Sequence, residues 1–505
     1  MNYHLHFPKI ILLFIGILLA ILIASCSSST KPNTCSLTGN IVLVNDSGNL
    51  DLDPVDFSGV RIAIYPLAAL DTTLVRLNTR YPTIGMKITQ KTEFDHREYN
   101  PLSSSVTSAE GTFSISSIPE GVYNIAVYKE GWGFRYFCNF VIQQGSNSLN
   151  SEAENQNGNV QLYRDVVLSG YYTSGLYNYN SRHHVVIEDD VFFLEGSDVT
   201  FAPATVIRVN PYKKITFLGS VQMQGESDSL ITITSNDGIY QNAKVVPQRF
   251  DRLSFNPGSQ IVNTWLEYIN LRYCDTGLVF NINSAIRNSV IACFNNAVSV
   301  SGSNDARVEF SISNCILTLD SSSSNYSLTM YALSQSQVEK NIFVESQNGA
   351  GCINTTGLTM SNNFFNNNKV GVSLNQGVTA TISHNDFDIQ ESCIKTDLDI
   401  QSNITYNNFT SHTGLTYETY RNIGTAMYNN YYCSYRAVVY ISLSAGYGGL
   451  MATNNWWGTT DEERIQELIY DKNDYNSSHP SYDAFCFVTY VPYRTSKQQN
   501  AGIQP

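Results

Sequence analysis

The sequence predicts an all-β protein in which an antiparallel β-sandwich precedes a parallel β-solenoid. The main observation is a motif, an asparagine followed two positions later by a large apolar residue, that recurs eight times. Within the repeats, apolar residues alternate over short stretches, which is strand spacing and not helix spacing. The region before them also alternates, with turns about every 8–12 residues. The eight first asparagines are Asn288, Asn314, Asn341, Asn362, Asn385, Asn407, Asn429 and Asn454.

The near-constant spacing of these asparagines indicates stacked coils. Successive first asparagines are separated by 26, 27, 21, 23, 22, 22 and 25 residues. A fixed period of roughly 20–50 residues is typical of repeat architectures. A unit of this size made of short strands cannot bury its own apolar face, so it must pack on its neighbours. About 12 coils at ~4.8 Å each predict a solenoid roughly 55 Å long.

The recurring asparagine has a physical role at a corner of the coil. Asparagine tolerates the left-handed backbone conformation that a sharp corner requires. Its amide carries donors and an acceptor, so asparagines in register can bond to one another and to the turn backbone. Each such bond contributes about 0.5–1.5 kcal/mol net. We therefore expect all eight asparagines to form one ladder.

The N-terminus carries a targeting signal. Residues 10–23 are an unbroken apolar run, too short for an ordinary membrane span and typical of a secretory signal. Residues 23–26 (IASC) resemble the bacterial lipobox, with isoleucine in place of the usual leucine. The resemblance implies a signal peptide over 1–25, lipid on Cys26 and a flexible tether over 26–34. We expect an extracytoplasmic bacterial lipoprotein at the outer membrane or cell surface; cleavage without a lipid is the alternative.

The other nine cysteines do not have the spacing of a metal site. Six fall in the repeats, at about one per coil, among apolar neighbours and not in the close pairs that zinc requires. We expect them to be small buried side chains stacked inside the solenoid. Cys35 and Cys138 are the one pair considered for a disulfide. The six are Cys274, Cys293, Cys315, Cys352, Cys393 and Cys433.

Residues 35–168 form the predicted sandwich. Apolar residues alternate through residues 108–127 around glycine-bearing turns. The stretch resembles the carboxypeptidase regulatory-like domain, which implies a prealbumin-like sandwich that acts as a spacer or a weak ligand module. Residues 70–101 have no counterpart in that pattern and are expected to be an insertion. The resemblance rests on Gly59-Val60, Gly111-x-Phe113, Ile118-Pro119-x-Gly121-x-Tyr123 and Gly131-Trp132.

A tyrosine-rich segment, residues 169–184, is predicted to link the two domains. Tyrosine rings can stack on sugar rings as they do on other apolar faces. Packing of these rings into the domain junction is the alternative. The ligand-binding candidates are Trp132, Tyr171, Tyr172, Tyr177 and Tyr179.

The predicted solenoid occupies residues 185–495. Its entry coils, residues 191–235, resemble those of right-handed parallel β-helix repeat proteins of the pectate-lyase-like superfamily. Ala204 and Phe250 stand where that pattern usually has glycine and tryptophan. The resemblance implies the architecture and is a poor guide to activity.

A cap is predicted at the C-terminal end of the solenoid. Thr460 and Glu463 fit a capping box, and the apolar residues that follow have helical spacing. A short helix there would cover the open strand edges of the last coil. A tail over residues 496–505 completes the chain.

Charge limits the classes of partner. The formal net charge is −13, and no basic run is present, which argues against nucleic acid. Charged residues are 14% of the chain and aromatic residues 12%, a balance that suits an extracytoplasmic β-protein with wet sheet faces.

Enzymes on this fold suggest where chemistry would lie. Lyases combine clustered carboxylates, Ca²⁺ and a basic residue, and hydrolases use pairs of aspartates. Asp386 and Asp388 flank an inward Phe387, and we expect Asp397 and Asp399 to point outward in the same way one coil later. Solubilising edges are the alternative role for such acids. The catalytic candidates are His384, Asp386, Asp388, Lys395, Asp397 and Asp399.

The sequence favours a non-catalytic, surface-anchored monomer whose β-helix binds carbohydrate or cell-envelope polysaccharide, or mediates adhesion. A polysaccharide lyase or glycoside hydrolase is one alternative, and a structural or protein-binding adhesin is another. No cofactor or metal is expected, except calcium under the lyase alternative. The expected partners are the membrane, through the lipid on Cys26, and a polysaccharide, without nucleic acid.

Overall fold

The computed structural model describes most of the chain after residue 33. The predicted signal peptide, the lipidation candidate Cys26 and the catalytic candidate Asp399 lie outside the described residues. The described ranges are 34–45, 56–152, 158–236, 248–256, 264–319, 325–397, 400–419, 423–442, 449–474 and 487–504.

The N-terminal unit is a β-sandwich of two four-stranded sheets. Leu37 and Ile41 of the first sheet share one buried apolar cluster with Ile62 and Ile125 of the second. The first sheet is mixed, because two of its strands run parallel to the N-terminal strand, whereas the second is antiparallel. The first sheet contains Thr34–Val44, Thr112–Pro119, Ser146–Ser148 and Val160–Tyr163; the second contains Arg61–Tyr65, Ser103–Val106, Gly121–Tyr128 and Phe134–Ile142.

The rest of the chain is a parallel β-helix of about 11 turns. Three parallel sheets, here called faces 1, 2 and 3, form its sides. Alternate residues of each strand point inward, which is why the repeats alternate in sequence. The described strands of face 1 are Gly175–Tyr179, Ser197–Phe201, Ser220–Gln224, Thr264–Glu267, Ser284–Arg287, Phe310–Ser313, Gln337–Glu339, Leu358–Ser361, Thr379–Ser383, Gln401–Thr405, Ile423–Met427, Leu450–Met451 and Val488–Thr489.

Faces 2 and 3 follow face 1 within each coil. Four long strands bend from face 2 onto face 3: Val166–Tyr172, His184–Phe193, Ile269–Phe280 and Val290–Ser301. Face 2 further contains Val206–Val209, Ile231–Ser235, Ile316–Leu319, Ile342–Val344, Phe364–Asn366, Asp386–Asp388, Asn408–Thr410 and Asn430–Tyr431. Face 3 further contains Ile215–Phe217, Leu253–Phe255, Tyr326–Tyr331, Asn348–Ile353, Val370–Asn375, Ser392–Thr396, Thr413–Thr419, Arg436–Ser442 and Ile469–Tyr470.

The β-helix begins earlier than the sequence predicted. Val166–Tyr172 pairs in parallel with His184–Phe193, and Gly175–Tyr179 pairs in parallel with Ser197–Phe201. Residues 169–184 are therefore part of the first coil and do not form a linker. Tyr172 and Tyr179 are in register with the buried Phe193 and Phe201 of the next coil, and that shared inward position is the physical reason for the difference.

Aromatic rings stack along the interior of the helix. Successive ring centroids in one column lie 4.6–5.3 Å apart, so each ring between its two ends contacts one ring above and one below. Each pair contributes about 0.5–1.5 kcal/mol beyond the area it buries. The column consists of Phe343, Phe365, Phe387, Phe409, Tyr431 and Trp457.

The repeat cysteines lie among these apolar side chains. Five of the six are buried and Cys433 is partly buried. Cys274 is in register with Cys293 of the next coil. In the sandwich, Cys35 belongs to the inner core and Cys138 borders a different apolar cluster. Both remain thiols, so the structure does not contain the disulfide considered from the sequence.

An asparagine ladder occupies the corner between faces 1 and 2. From Asn363 onward, each ladder amide oxygen accepts bonds of 2.8–3.3 Å from the backbone N–H and the side-chain Nδ2 of the asparagine one coil before. The Asn341 oxygen accepts from the Cys315 backbone N–H at 2.9 Å. Each Nδ2 also donates to a backbone carbonyl of a face 1 strand in the preceding coil. The ladder consists of Asn341, Asn363, Asn385, Asn407, Asn429 and Asn455.

The ladder corrects the sequence assignment at four positions. Asn288, Asn314, Asn362 and Asn454 precede the ladder position and have left-handed backbones, with φ between 48° and 57°. The corner needs a residue with a left-handed backbone, followed by a residue whose side-chain amide points inward. The sequence analysis assigns both roles to one asparagine, whereas in the structure they fall on two successive residues. The ladder position itself is Ser289, Cys315, Asn363 and Asn455 in these four coils. In residues 362–365 and 454–457 a doubled asparagine precedes two aromatic residues, so both phases fit the motif.

The insertion in the sandwich covers face 2. Thr72–Arg80 is a helix because the Asp71 side chain accepts a bond from the Leu74 N–H at its start, and Leu74 and Leu77 form one buried stripe. A short helix, Gln90–Glu93, and a 3-10 turn, His96–Glu98, follow. The apolar cluster that joins this segment to the outer side of face 2 consists of Leu74, Leu77, Ile84, Met86, Ile88, Leu230, Val290, Ile316, Ile342, Val344 and Phe364.

Polar contacts fix the insertion to the helix. Arg97 donates to the Ser235 carbonyl at 2.5 Å and to Thr234 Oγ1 at 2.7 Å, and its guanidinium is paired with Asp95. Arg272 on face 2 pairs with Glu93 at 2.5 Å. Since these groups are largely buried, each needs its partner, and the sandwich and the helix are held in one arrangement.

The C-terminal end covers the last coil and then returns along face 2. The capping helix, Glu462–Leu468, begins after Asp461, whose side chain accepts from the Glu463 N–H, so Asp461 takes the cap position predicted for Thr460. The tail runs back over face 2, where the Gln498 N–H donates to Asn430 Oδ1 and the Gly502 N–H donates to the Tyr406 carbonyl, both at 2.7 Å. Two further 3-10 turns are Leu149–Glu152 and Lys472–Asp474.

Candidate functional site

Asp386 lies beneath the insertion and the tail. Its carboxylate accepts a bond of 2.6 Å from the Tyr81 hydroxyl and one of 2.7 Å from Asn408 Nδ2. Burial and the bond to Asp386 raise the pKa of Tyr81. The side chain is 8% exposed and Gly502 of the tail packs closely against it, so no open surface remains for a substrate. In the structure this catalytic candidate therefore holds together the insertion, face 2 of the helix and the C-terminal tail.

We expect Asp386→Ala to destabilise the protein by about 2 kcal/mol, because Tyr81 and Asn408 each lose a bond to a charged group. Limited proteolysis should then cut the tail faster than in the wild type. Asp388→Ala is the matched control, since Asp388 lies on the same strand and the same side but is exposed. Equal urea midpoints for the two variants would contradict this stabilising role of Asp386.

The other candidates do not converge with Asp386. His384 occupies the left-handed corner position, where its ring stacks on Tyr406 at 5.2 Å and partial burial lowers its pKa. Lys395 and Asp397 follow Asp386 within the same coil, on face 3 and not one coil later. The prediction that Asp397 lies one coil after Asp386 is therefore wrong, because the chain turns a corner between them within one coil; Asp399 lies outside the described residues.

Lys395 and Asp397 instead line a cleft of about 390 Å³ on the outer side of face 3. Gly351, Ser373 and Lys395 are in register on neighbouring strands, and Asn375 and Asp397 point outward two residues further along. The small side chains at Gly351 and Ser373 make the surface concave there. The cleft follows the long direction of the solenoid over four successive strands of face 3.

Tyr326 forms one end of this cleft. Its ring packs against Gly351, because a Cβ atom at that glycine would be 2.7 Å from a ring carbon. Glycine inside a strand often marks such a close approach. Gly351 was the signal in the sequence that could have located the site, although Tyr326 itself has no distinguishing neighbours along the chain.

Charges of both signs lie along the cleft. Lys369 pairs with Glu391 at 3.3 Å on the side near the corner, and Lys395 and Asp397 lie across from them. Two cations and two anions cancel, whereas the chain as a whole carries −13. The sequence analysis did not single out Lys369 or Glu391. Glu391 lies four residues before Lys395 in the same coil, whereas Lys369 belongs to the preceding coil and joins them through stacking.

The described residues contain no group of three or more His, Cys, Asp or Glu side chains that could hold a metal ion. They also contain no helix with the length and apolarity needed to cross a membrane.

Most of the aromatic candidates pack into cores. Tyr172, Tyr177 and Tyr179 lie against the interior of the first coil, with Tyr179 stacked on Phe201 at 5.0 Å. Trp132 packs against the sandwich core. Tyr171 differs, since it is 72% exposed. Tyr172, Tyr177 and Tyr179 therefore pack inside the first coil and not at a junction between domains, because inward positions of that coil need large apolar side chains.

The fold and the cleft define a parallel β-helix protein with a polar, aromatic-ended groove on one face. Comparisons of this chain with protein-family models, with curated proteins and with solved structures find no match.

Proposed function

We propose that the protein is a non-catalytic polysaccharide-binding protein, and that the face 3 cleft holds a segment of the glycan. The observation that carries the proposal is the Tyr326 ring, which packs against Gly351 in a cleft lined by hydrogen-bonding side chains. A sugar ring has an apolar face, which stacks on an aromatic ring, and hydroxyls at its edge. Ser373, Asn375 and Asp397 line the same cleft and supply donors and acceptors for such hydroxyls.

Charge and shape favour a glycan over other ligands. The lining of the cleft is mostly polar, unlike the apolar pockets that hold a drug-sized ligand or an interface anchor. Its balanced charges do not attract a polyanion such as nucleic acid. A neutral or sparsely charged oligosaccharide needs many hydroxyl partners and little net charge, which is the composition of this surface.

We expect Tyr326→Ala to weaken binding of the soluble Cys35–Pro505 fragment by at least about fivefold on a glycan array, because stacking on one aromatic ring is worth about 1–3 kcal/mol. Tyr435→Ala is the control, since Tyr435 is also exposed on a later coil and lies outside the cleft. A wild-type fragment that binds no glycan, or equal binding by both variants, would contradict the proposal.

A polysaccharide lyase or glycoside hydrolase is the second candidate. Glu391, Lys395 and Asp397 line one cleft, so two carboxylates and one amine could face the same bond. The measurement is release of reducing or unsaturated ends from the polymers that bind. Activity lost in Asp397→Asn with binding retained would favour the enzyme over the binding protein.

We further infer that the chain is a lipoprotein of the bacterial cell envelope, anchored through Cys26. The lipobox resemblance supports the anchor, and the motifs of residues 59–132 support a carboxypeptidase regulatory-like spacer. The entry coils support membership of the pectate-lyase-like superfamily. Such an arrangement holds both exposed faces of the helix away from the membrane. An unmodified N-terminal peptide in the mass spectrum of the mature protein would refute the anchor.

A further inference from the structure

A second groove, of about 440 Å³, crosses face 1. The residues that line it carry no ionisable side chain, although charged residues are distributed over the rest of the surface. Thr359, Thr381, Asn403 and Thr425 form its central row. The proposed glycan cleft lies on face 3, so the two grooves are on different sides of the helix and share no residue.

The row is regular because the strands are in register. Thr359 is paired with Thr381, Thr381 with Asn403, and Asn403 with Thr425. Polar groups therefore recur about every 4.8 Å along the solenoid axis. Thr379 and Gln401 add a second row beside the first on the same strands.

Local bonds orient part of this array. The Thr425 hydroxyl donates to Asn403 Oδ1 at 2.9 Å, and Thr379 Oγ1 accepts from the Gly357 N–H at 2.8 Å. Thr359, Thr381 and Asn403 are exposed. A hydroxyl or a carboxamide both donates and accepts, so the array matches a ligand whose surface also carries both kinds of group.

We propose that the face 1 groove binds a neutral, hydroxyl-rich polysaccharide, with the polymer chain along the solenoid axis. Several classes of partner lack the chemistry they need there. A nucleic acid or an anionic lipid surface needs cations, and a protein interface is centred on aromatic or arginine anchors. The groove offers none of these groups, and a neutral polymer requires none.

Binding in the face 1 groove is independent of binding in the face 3 cleft, because the two lie on different faces of the helix and share no residue. If both hold, one solenoid carries two glycan segments on separate sides and can bridge them. The two grooves are distinguished by the variants that abolish binding.

Affinity electrophoresis of the soluble Cys35–Pro505 fragment tests the groove, with amylose, mannan and mixed-linkage β-glucan cast separately into native gels. At least one neutral polymer should retard the wild type. The double variant Thr359→Lys/Thr381→Lys should reduce that retardation at least tenfold, because two ammonium groups in the row would have to lose their water without gaining a counter-charge.

The matched control is Ser361→Lys/Ser383→Lys. These serines lie on the same two strands, in register with each other and outside the groove lining, so they report any effect of lysine on the sheet or on mobility. Thermal unfolding shows that each variant is folded. Tyr326→Ala should retain the retardation, which separates this groove from the face 3 cleft.

Three results would overturn the proposal. The first is that none of the three polymers retards the wild type, and the second is that retardation falls equally in both double variants. The third is that retardation is lost in Tyr326→Ala but kept in Thr359→Lys/Thr381→Lys. The last result would assign the neutral polymer to the cleft, and so would support the proposed function while removing this one.

Discussion

Replacing Asn385 by alanine is expected to lower the free energy of unfolding by roughly 3 kcal/mol, since a buried group left without its partner costs about 1–3 kcal/mol. The Asn385 amide oxygen accepts two bonds of 2.9 Å from Asn363, one from the backbone N–H and one from Nδ2. Its own Nδ2 donates to Asn407 Oδ1 and to the Met360 carbonyl. Alanine removes all of these partners inside the corner, where water cannot replace them.

Urea unfolding followed by far-ultraviolet circular dichroism measures the effect. Asn403→Ala is the control, because Asn403 belongs to the next coil and is exposed on face 1. We expect it to change stability by less than about 0.5 kcal/mol, as for other surface substitutions. A loss for Asn385→Ala as small as that of the control would mean that the corner is held by backbone pairing alone.

Acidification is expected to destabilise the protein by about 3 kcal/mol through His96. Burial lowers the pKa of His96 to about 4, although the neighbouring Asp95 carboxylate opposes that shift. In the unfolded chain the imidazole has a pKa near 6.5, so between about pH 6.5 and 4 the unfolded state binds a proton that the folded state does not. The stability is therefore complete above pH 6.5 and is lost as the pH falls to about 4.

The position of His96 gives this effect a structural consequence. Its Nδ1 is 2.7 Å from the Tyr136 hydroxyl, and its ring packs against Tyr128 and Phe134 at the junction between sandwich and insertion. Asp95 affects the stability of the protein only at lower pH. Burial favours its protonated form, but the Arg97 charge and bonds outweigh burial and lower its pKa to about 2. Its contribution is lost only below about pH 4, the ordinary value for aspartate.

Urea midpoints between pH 7 and pH 4.5 measure the loss. His96→Phe keeps the aromatic packing and removes the titrating group, so its stability should change less over this range than that of the wild type. Burial also lowers the pKa of His184, so part of the pH dependence of stability should remain in His96→Phe. His412→Phe, at an exposed site, should leave the dependence unchanged. Parallel curves for wild type and His96→Phe would contradict the assignment.

The covering of face 2 explains how the surface is divided between structure and binding. Ile316, Ile342 and Phe364 point outward from that face and would be an exposed apolar stripe without the insertion. The insertion and the tail bury the stripe, so face 2 is used for stability. Faces 1 and 3 keep grooves open to solvent, and the two binding proposals lie there.

The sequence by itself determined the coil. The period of the asparagine motif predicted stacked parallel strands, because a fixed period and alternating apolar residues have one compact solution. It also predicted buried cysteines and a capping helix. It could not separate Asn362 from Asn363 at the corner, because adjacent asparagines satisfy the same motif in either phase.

Only the tertiary structure decided what the outward side chains do. The insertion and the tail meet over Asp386, and Tyr81, which bonds to its carboxylate, lies 305 residues earlier in the chain. Their packing buries an acid that the local pattern predicted to be exposed. Tyr326, Ser373 and Lys395 become one cleft through the register of successive coils. The physical reason is that an inward residue is constrained by its own coil, whereas an outward residue depends on whichever distant segment packs above it.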